Sequence, residues 1–230
     1  MSNRSLATKR LWVVIATVII NVTAVSLLTL APWSDWRTGV GLNLLDNALL
    51  IGFAIWHRDT FLFRLLLFGL VTGLAELPAD AWLVDHTKTL DYSIGGGPML
   101  WRSPIWMPLA WEIVAVQFGY IGLRLMERFG TVAGLVGIGV LGAMNIPFYE
   151  QMARTIHWWT YHGCRMISAT PYYIILGELG IAMALAYVTR GLRAGNALRA
   201  VLLGVAAGAA IFVCYVAAFA ITDGLPGAAR

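Results

Sequence analysis

Long apolar stretches alternate with short polar ones along the whole chain. Each apolar stretch is close to the roughly 20 residues that an α-helix needs to cross a bilayer. The third stretch contains Pro78, which predicts a kink. We therefore predict an all-α, polytopic membrane protein with one transmembrane domain over residues 1–230. Its seven helices are expected at residues 11–30, 40–56, 60–84, 105–125, 131–150, 171–188 and 198–221.

Composition supports this fold class. Charged residues make up 12% of the chain and hydrophobic residues 59%, whereas a soluble domain carries roughly 25% charged residues. So few charges cannot cover a soluble surface. No basic cluster with interleaved aromatic residues indicates a nucleic-acid partner. We expect an integral, multi-pass protein of bacterial inner-membrane type whose surroundings are membrane lipids.

The distribution of Lys and Arg predicts the orientation. Ten of these residues fall on the side of the N-terminus and six on the opposite side. Because cytoplasmic loops carry an excess of Lys and Arg, the N-terminus is predicted to be cytoplasmic and the C-terminus outside. The two long connections, residues 85–104 and 151–170, are then external. Eight of the ten tryptophans also fall in the outer half.

Half of the twelve acidic residues lie inside the predicted helices: Asp46, Glu76, Asp80, Glu112, Glu150 and Glu178. A carboxylate in hydrocarbon costs several kcal/mol, so such residues are commonly functional. Counted at 1.5 Å per residue, four of them lie about 9–12 Å from the outer ends of their helices. This acidic layer contains Asp46, Glu76, Glu112 and Glu178.

The acidic layer predicts proton chemistry. No basic residue shares the layer, so burial favours the neutral form of at least one carboxyl. A neutral acid beside an ionised one is an acid–base pair. Asp80 is four residues after Glu76 and shares its helix face. The catalytic candidates are therefore Glu76 or Glu112 as proton donor, Asp80 or Glu178 as partner or base, and Asp46 as support.

The outer segments supply candidates for the walls of a cavity. Pro98, Pro104 and Pro108 make the entry to the fourth helix rigid. His157 and His162 are five residues apart, unlike the i, i+4 histidines of zinc helices. We therefore predict no metal and no cofactor. The substrate-binding candidates are Trp101, Trp106, Trp111, Asn145, Tyr149, Glu150, His157, Trp158 and Trp159.

One segment resembles a known family. Glu76 and Asp80, followed by SPIWMPLAW at residues 103–111, look like the small integral-membrane carotenoid hydratases, which carry a membrane acid before a VP-x-x-(I/V)PLAW-like entry. The seven-helix plan is also similar to the membrane-bound meroterpenoid cyclases. The resemblance covers residues 73–111 and, more weakly, 149–172. It implies that Glu76, Asp80 and Glu112 protonate an alkene or epoxide, after which a cation is quenched.

We therefore expect an enzyme that uses intramembrane carboxyl groups for acid–base cyclisation or hydration of an isoprenoid or other lipid-soluble substrate. Aromatic faces near the acids would stabilise positive charge. Two alternatives stay open. Carboxyl layers also serve as proton relays in proton-coupled carriers or ligand-binding membrane proteins. In a structural or assembly subunit, the same acids would form interhelical hydrogen bonds.

Overall fold

Helices dominate the fold, which a computed structural model describes for residues 3–224. A π-helical turn, Trp82–His86, extends the fourth helix, and a 3-10 turn, Arg190–Leu192, extends the seventh. Within the described residues the α-helices are α1 (Asn3–Leu28), α2 (Trp36–His57), α3 (Thr60–Ala75), α4 (Leu77–Ala81), α5 (Met107–Phe129), α6 (Thr131–Ile156), α7 (Tyr172–Thr189) and α8 (Ala197–Thr222).

Seven helical segments in residues 3–224 are long and apolar enough to cross a membrane. Here α3, α4 and the π-helical turn count as one span, Thr60–His86. The predicted all-helical, seven-span fold is confirmed at this level. The largest differences from the predicted boundaries are in α1, which begins at Asn3, and in α6, which continues to Ile156. Hydropathy marks where a helix meets hydrocarbon, and a helix can continue beyond that point with polar residues.

The third span is interrupted at Glu76, as Pro78 predicted. Glu76 ends α3 and precedes the first residue of α4. A proline has no N–H for the bond to the carbonyl four residues earlier, and its ring clashes with that carbonyl. Ala79 N donates a hydrogen bond of 2.6 Å to Glu76 O, and the chain becomes helical again at this point. The interruption places an acidic residue directly at the break.

Five helices form the tightly packed part of the bundle. Helix α5 packs against α3, α6 and α7, and α8 packs against α3 and α7. Helices α1 and α2 pack against each other and against α5. Glycines allow α3 to approach α5 closely: a Cβ on Gly73 would lie 2.1 Å from Pro108 O, and one on Gly69 would lie 2.7 Å from Glu112 O. Small residues at such crossings are typical of membrane helices.

Short antiparallel ladders organise the two long loops, which the sequence did not predict. The pairs are β1 (Leu90–Asp91) with β4 (Thr160–Tyr161), β2 (Met99–Leu100) with β3 (Ser103–Pro104), and β5 (Met166–Ile167) with β6 (Thr170–Pro171). The β1–β4 ladder joins one long loop to the other. Both loops therefore cover the same end of the bundle.

Candidate functional site

A cavity of about 160 Å³ lies beneath the two long loops, and residues of α1, α2, α4, α5, α6, α7 and α8 line it. Most of its wall is apolar or aromatic. Four amide side chains, Asn21, Asn43, Gln117 and Asn145, also reach it. The carboxyl groups in its wall are Asp80, Glu150 and Glu178.

Asp80 is held by two hydroxyl groups. Both Tyr92 Oη and Ser103 Oγ donate hydrogen bonds of 2.7 Å to Asp80 Oδ2. Asp80 and Ser103 are almost completely buried. The helix begins again as α4 at Leu77 and Pro78, just before Asp80. The break in the third span therefore determines where this carboxyl group lies. Its two donors come from the loop that follows.

Glu150 lies near the end of α6 and contacts the other loop. Trp159 Nε1 donates to its Oε2 at 2.6 Å, and Tyr161 Oη donates to its Oε1 at 3.2 Å. The same carboxyl group also lines a second cavity of about 180 Å³, together with Arg154 and Thr160. Glu150 therefore lies between the main cavity and a second, more polar one.

Glu178 on α7 is the third carboxyl group of the cavity wall. Tyr215 Oη on α8 donates to Glu178 Oε1 at 2.7 Å. The neighbouring Gly177 leaves space for the tyrosine ring, since a Cβ there would lie 2.6 Å from Tyr215 Cδ1. Each of the three carboxyl groups in the wall thus accepts a hydrogen bond from a tyrosine.

Glu76 lies behind Asp80 and is not part of the cavity wall. It is fully buried, and neither carboxyl oxygen has a hydrogen-bond partner among the described residues. Its polar neighbours are Asp80, Trp111 and, further away, Glu178. Glu76 is therefore placed to influence Asp80 through charge rather than to touch a molecule in the cavity.

Asp46 and Glu112 lie in helix interfaces outside the cavity wall. Asp46 is fully buried on α2 with Asn21 of α1 as its polar neighbour. Glu112 on α5 contacts the α3 backbone at Gly69 and lies beside Asn47 of α2. Depth alone had grouped these acids with Glu178. Their directions around the helix separate them from it.

Three indoles cover the cavity. The Trp106 ring centroid lies 5.4 Å from that of Trp158 and 6.2 Å from that of Trp159. Trp158 Nε1 donates to Asp35 O at 2.9 Å, and Trp106 Nε1 donates to Gly96 O at 3.0 Å. Their N–H groups are therefore used to hold the loops, and their faces form the aromatic cover.

The structure corrects two of the predicted wall residues. Trp101 is 61% exposed at the turn between β2 and β3, where its φ is +57°. His157 ends α6 with a φ of +65° and is also exposed. Sequence proximity to Trp106 and Trp158 suggested that both would face inward, but each lies where the chain reverses direction. The remaining predicted wall residues, Trp106, Trp111, Asn145, Tyr149, Glu150, Trp158 and Trp159, do line the cavity.

The two loop tyrosines, Tyr92 and Tyr161, stay protonated and act as hydrogen-bond donors. Burial, followed by the charges of Asp80 and Glu76, raises the pKa of Tyr92 well above its ordinary value. Burial and the charge of Glu150 do the same to the pKa of Tyr161. Both phenols therefore keep their protons across the physiological pH range and can donate to the carboxyl groups throughout it.

The described residues contain no group of three His, Cys, Asp or Glu side chains arranged to hold a metal ion. What the cavity offers instead is a set of oxygen acids and hydroxyl donors. Those groups can transfer protons without any further component.

Residues 77–222 match a family model described as a domain of unknown function, DUF6989. The match covers more than half of the chain. The protein belongs to this family. The matched region includes the three carboxyl groups of the cavity wall and both long loops, and it leaves out Asp46 and Glu76. No curated protein and no solved structure matches the chain significantly.

Four contributing residues were absent from the predicted site: Tyr92, Ser103, Tyr161 and Tyr215. The depth of Tyr215 on the last helix was a usable signal, since it is close to that of Glu178. Nothing comparable marks Tyr92 and Tyr161, because the β1–β4 ladder brings these loop residues inward. Ser103 is identified only by its contact with Asp80.

Proposed function

We propose that this protein is a membrane-embedded enzyme that performs acid–base chemistry on a lipid-soluble substrate. One observation carries the proposal: Asp80, Glu150 and Glu178 face one aromatic cavity, and each accepts a hydrogen bond from a tyrosine. Carboxyl groups that only joined helices would have no need of a shared cavity. Several titratable groups held in one pocket are the usual arrangement for proton transfer.

The proposed reaction is a protonation-initiated cyclisation or hydration of an isoprenoid. A neutral carboxyl gives its proton to an alkene carbon, where the π electron pair forms the new C–H bond, or to an epoxide oxygen, where a lone pair forms the new O–H bond. In the epoxide the C–O bond then breaks and its electron pair goes to the oxygen. The resulting cation either closes a ring with a second alkene or takes up water. A carboxylate then removes a proton. The product of a cyclisation is therefore an isomer of the substrate, and the product of a hydration contains one additional water.

The aromatic cover suits such a cation. Indole and phenol faces attract positive charge without offering a strong nucleophile. Trp106, Trp158 and Trp159 use their N–H groups in other contacts or toward Glu150, which leaves their faces for the cavity. This division of roles supports a pocket that stabilises charge while limiting unwanted water.

The size of the cavity limits what part of a substrate reacts there. Its volume, about 160 Å³, is close to that of an engineered protein cavity of about 150 Å³ that binds benzene. One end group of an isoprenoid fits such a space, whereas a complete carotenoid does not. The rest of a long substrate is therefore proposed to stay in the bilayer, with entry between helices.

Glu150 is the proposed link to the aqueous side. It alone of the three carboxyl groups lines both the main cavity and the more polar cavity beside Arg154. In the orientation that Lys and Arg predict, with the N-terminus cytoplasmic and the C-terminus outside, this polar cavity lies on the outer side. Glu150 would then restore protons that Asp80 or Glu178 gives to the substrate.

The test uses the purified protein in lipid nanodiscs with a panel of polyprenyl alkenes and epoxides. Mass spectrometry detects either an isomer of the substrate or a product heavier by one water. We expect D80N, E150Q and E178Q each to lower turnover by about 100-fold or more, the usual contribution of a general acid or base. D85N, at an exposed carboxyl group of the π-helical turn, is the control. Full turnover in all three variants would overturn the proposal.

A proton-coupled carrier is the second candidate, and the break at Glu76 favours it. Interrupted membrane helices often hold the binding sites of transporters, and here the interruption carries a buried acid next to Asp80. Uptake into proteoliposomes driven by a pH gradient, without chemical change of the solute, would support this alternative. Turnover without flux would exclude it in favour of the enzyme.

A further inference from the structure

A third, larger cavity of about 490 Å³ lies at the opposite end of the bundle from the candidate functional site. It is formed by the start of α1, the α2–α3 turn, the end of α5 and the α7–α8 turn. Five arginines line it, against two carboxyl groups, Asp59 and Glu127. The arginines are Arg10, Arg58, Arg64, Arg124 and Arg193.

Both carboxyl groups are already paired with arginines. Arg10 binds Asp59 with two hydrogen bonds, Nε to Oδ2 at 2.6 Å and Nη2 to Oδ1 at 2.7 Å. Glu127 is shared by Arg124 and Arg193. No acid in the lining is left for Arg58 or Arg64. The cavity therefore carries a net positive charge.

Several guanidinium donors lack partners. Arg64 donates one hydrogen bond to the Gly195 carbonyl, but its Nε is buried and has no partner in the described part of the chain. The same is true of Arg124 Nε within residues 3–224. Among the side chains described in residues 5–224, none accepts a hydrogen bond from the exposed side chain of Arg58. Buried donors such as these two Nε–H groups are rare in native proteins, and each requires a structural explanation.

We propose that this arginine-lined cavity binds a phosphate group. Planar guanidinium groups bind phosphate oxygens through paired, charge-assisted hydrogen bonds, and Arg58, Arg64 and Arg124 offer such donors around one space. The phosphate is carried either by an anionic lipid headgroup or by a soluble phosphate compound. Phe61 and Leu123 give the same cavity an apolar side, which suits a ligand that also has a hydrocarbon part. Basic pockets between membrane helices bind such headgroups elsewhere.

The test uses the full-length protein in nanodiscs of zwitterionic phosphatidylcholine. Phosphatidylglycerol and inorganic pyrophosphate are added separately, and native mass spectrometry and thermal unfolding report binding. Stabilisation by phosphatidylglycerol supports the site with a lipid as its source, and stabilisation by pyrophosphate supports it with a soluble source. Binding of neither ligand above the phosphatidylcholine background overturns the proposal.

Two double variants test whether the ligand binds in this cavity. R58Q/R64Q removes two guanidinium groups from the cavity, and R37Q/R102Q removes two exposed ones at the other end of the bundle. We expect the first to weaken binding by about tenfold or more, as expected for losing one charge-assisted hydrogen bond, and the second to bind like the wild type. Equal binding by both would overturn the proposal. If R58Q/R64Q does not purify, R58Q at its exposed position carries the same test.

Discussion

Tyr215 on α8 donates a hydrogen bond of 2.7 Å to Glu178 on α7, and the absence of a side chain at Gly177 makes room for it. Y215F removes the donor and leaves a buried carboxyl oxygen without a partner. We expect the free energy of unfolding to fall by about 1–3 kcal/mol, with lower turnover under the proposed function. Thermal unfolding in detergent measures the first effect. Y172F, at a more exposed position on α7, should be neutral, and equal stability of both variants would contradict the expectation.

The ion pair between Arg10 and Asp59 is expected to be important for stability. The Asp59 side chain is 1% exposed, and it also caps α3 by accepting from Leu62 N at 3.1 Å. Removing one partner of a buried pair costs about 3–5 kcal/mol because the other charge stays buried. We therefore expect D59N to lower the unfolding temperature clearly.

The control for D59N is D85N, which removes an ion pair at the surface. The side chains of Asp85 and Arg102 are 48% and 52% exposed, so their pair contributes about 0–1 kcal/mol. Similar unfolding temperatures for D59N and D85N would show that burial does not strengthen the first pair. Urea or thermal unfolding of the detergent-solubilised protein makes the comparison.

The close crossing of α3 and α5 predicts a strong effect of one methyl group. In G73A the new Cβ would lie 2.1 Å from Pro108 O, so the helices must separate. Overpacking of this kind costs about 1–3 kcal/mol. G41A is the matched control, because nothing lies within 4 Å of a Cβ at that exposed helical position. Alanine at position 41 should be neutral or slightly stabilising. A G73A variant as stable as G41A would contradict the close approach of α3 and α5.

Cys164 is expected to react slowly with alkylating reagents. Burial, together with the charge of Asp223, raises its pKa to about 12, whereas a free cysteine has a pKa of about 8.5. The reactive thiolate forms only as the pH approaches this raised value, so the rate should rise about tenfold per pH unit between pH 8 and pH 10. C214A leaves Cys164 as the sole cysteine for mass spectrometry with iodoacetamide. A rate near that of a free thiol at pH 8 would contradict the prediction.

The helices and the break in the third span could be predicted because each depends on local chemistry. Runs of apolar residues mark the spans, and the missing N–H and the ring of Pro78 favour a kink or break at that point of the third span. Depth along a helix is also local, and it correctly placed Glu178 near the two long loops. These features need no knowledge of which helices are neighbours.

Which residues line the cavity could not be predicted in the same way. Asp46 and Glu112 share the depth of Glu178 but point into interfaces with α1, α2 and α3. Which side of a helix faces the cavity depends on packing partners that are distant in sequence. Tyr92 and Tyr161 enter the site only because their loops pair as β-strands.

The β1–β4 ladder has a consequence for how the cover moves. Asp91 pairs with Thr160, and Leu90 pairs with Tyr161, while the indoles of Trp106 and Trp158 pack against each other across the two loops. Neither loop can lift away alone without breaking these contacts. Amide protons in both loops should therefore exchange with deuterium through one cooperative opening, with a common free energy, instead of as two independent fluctuations.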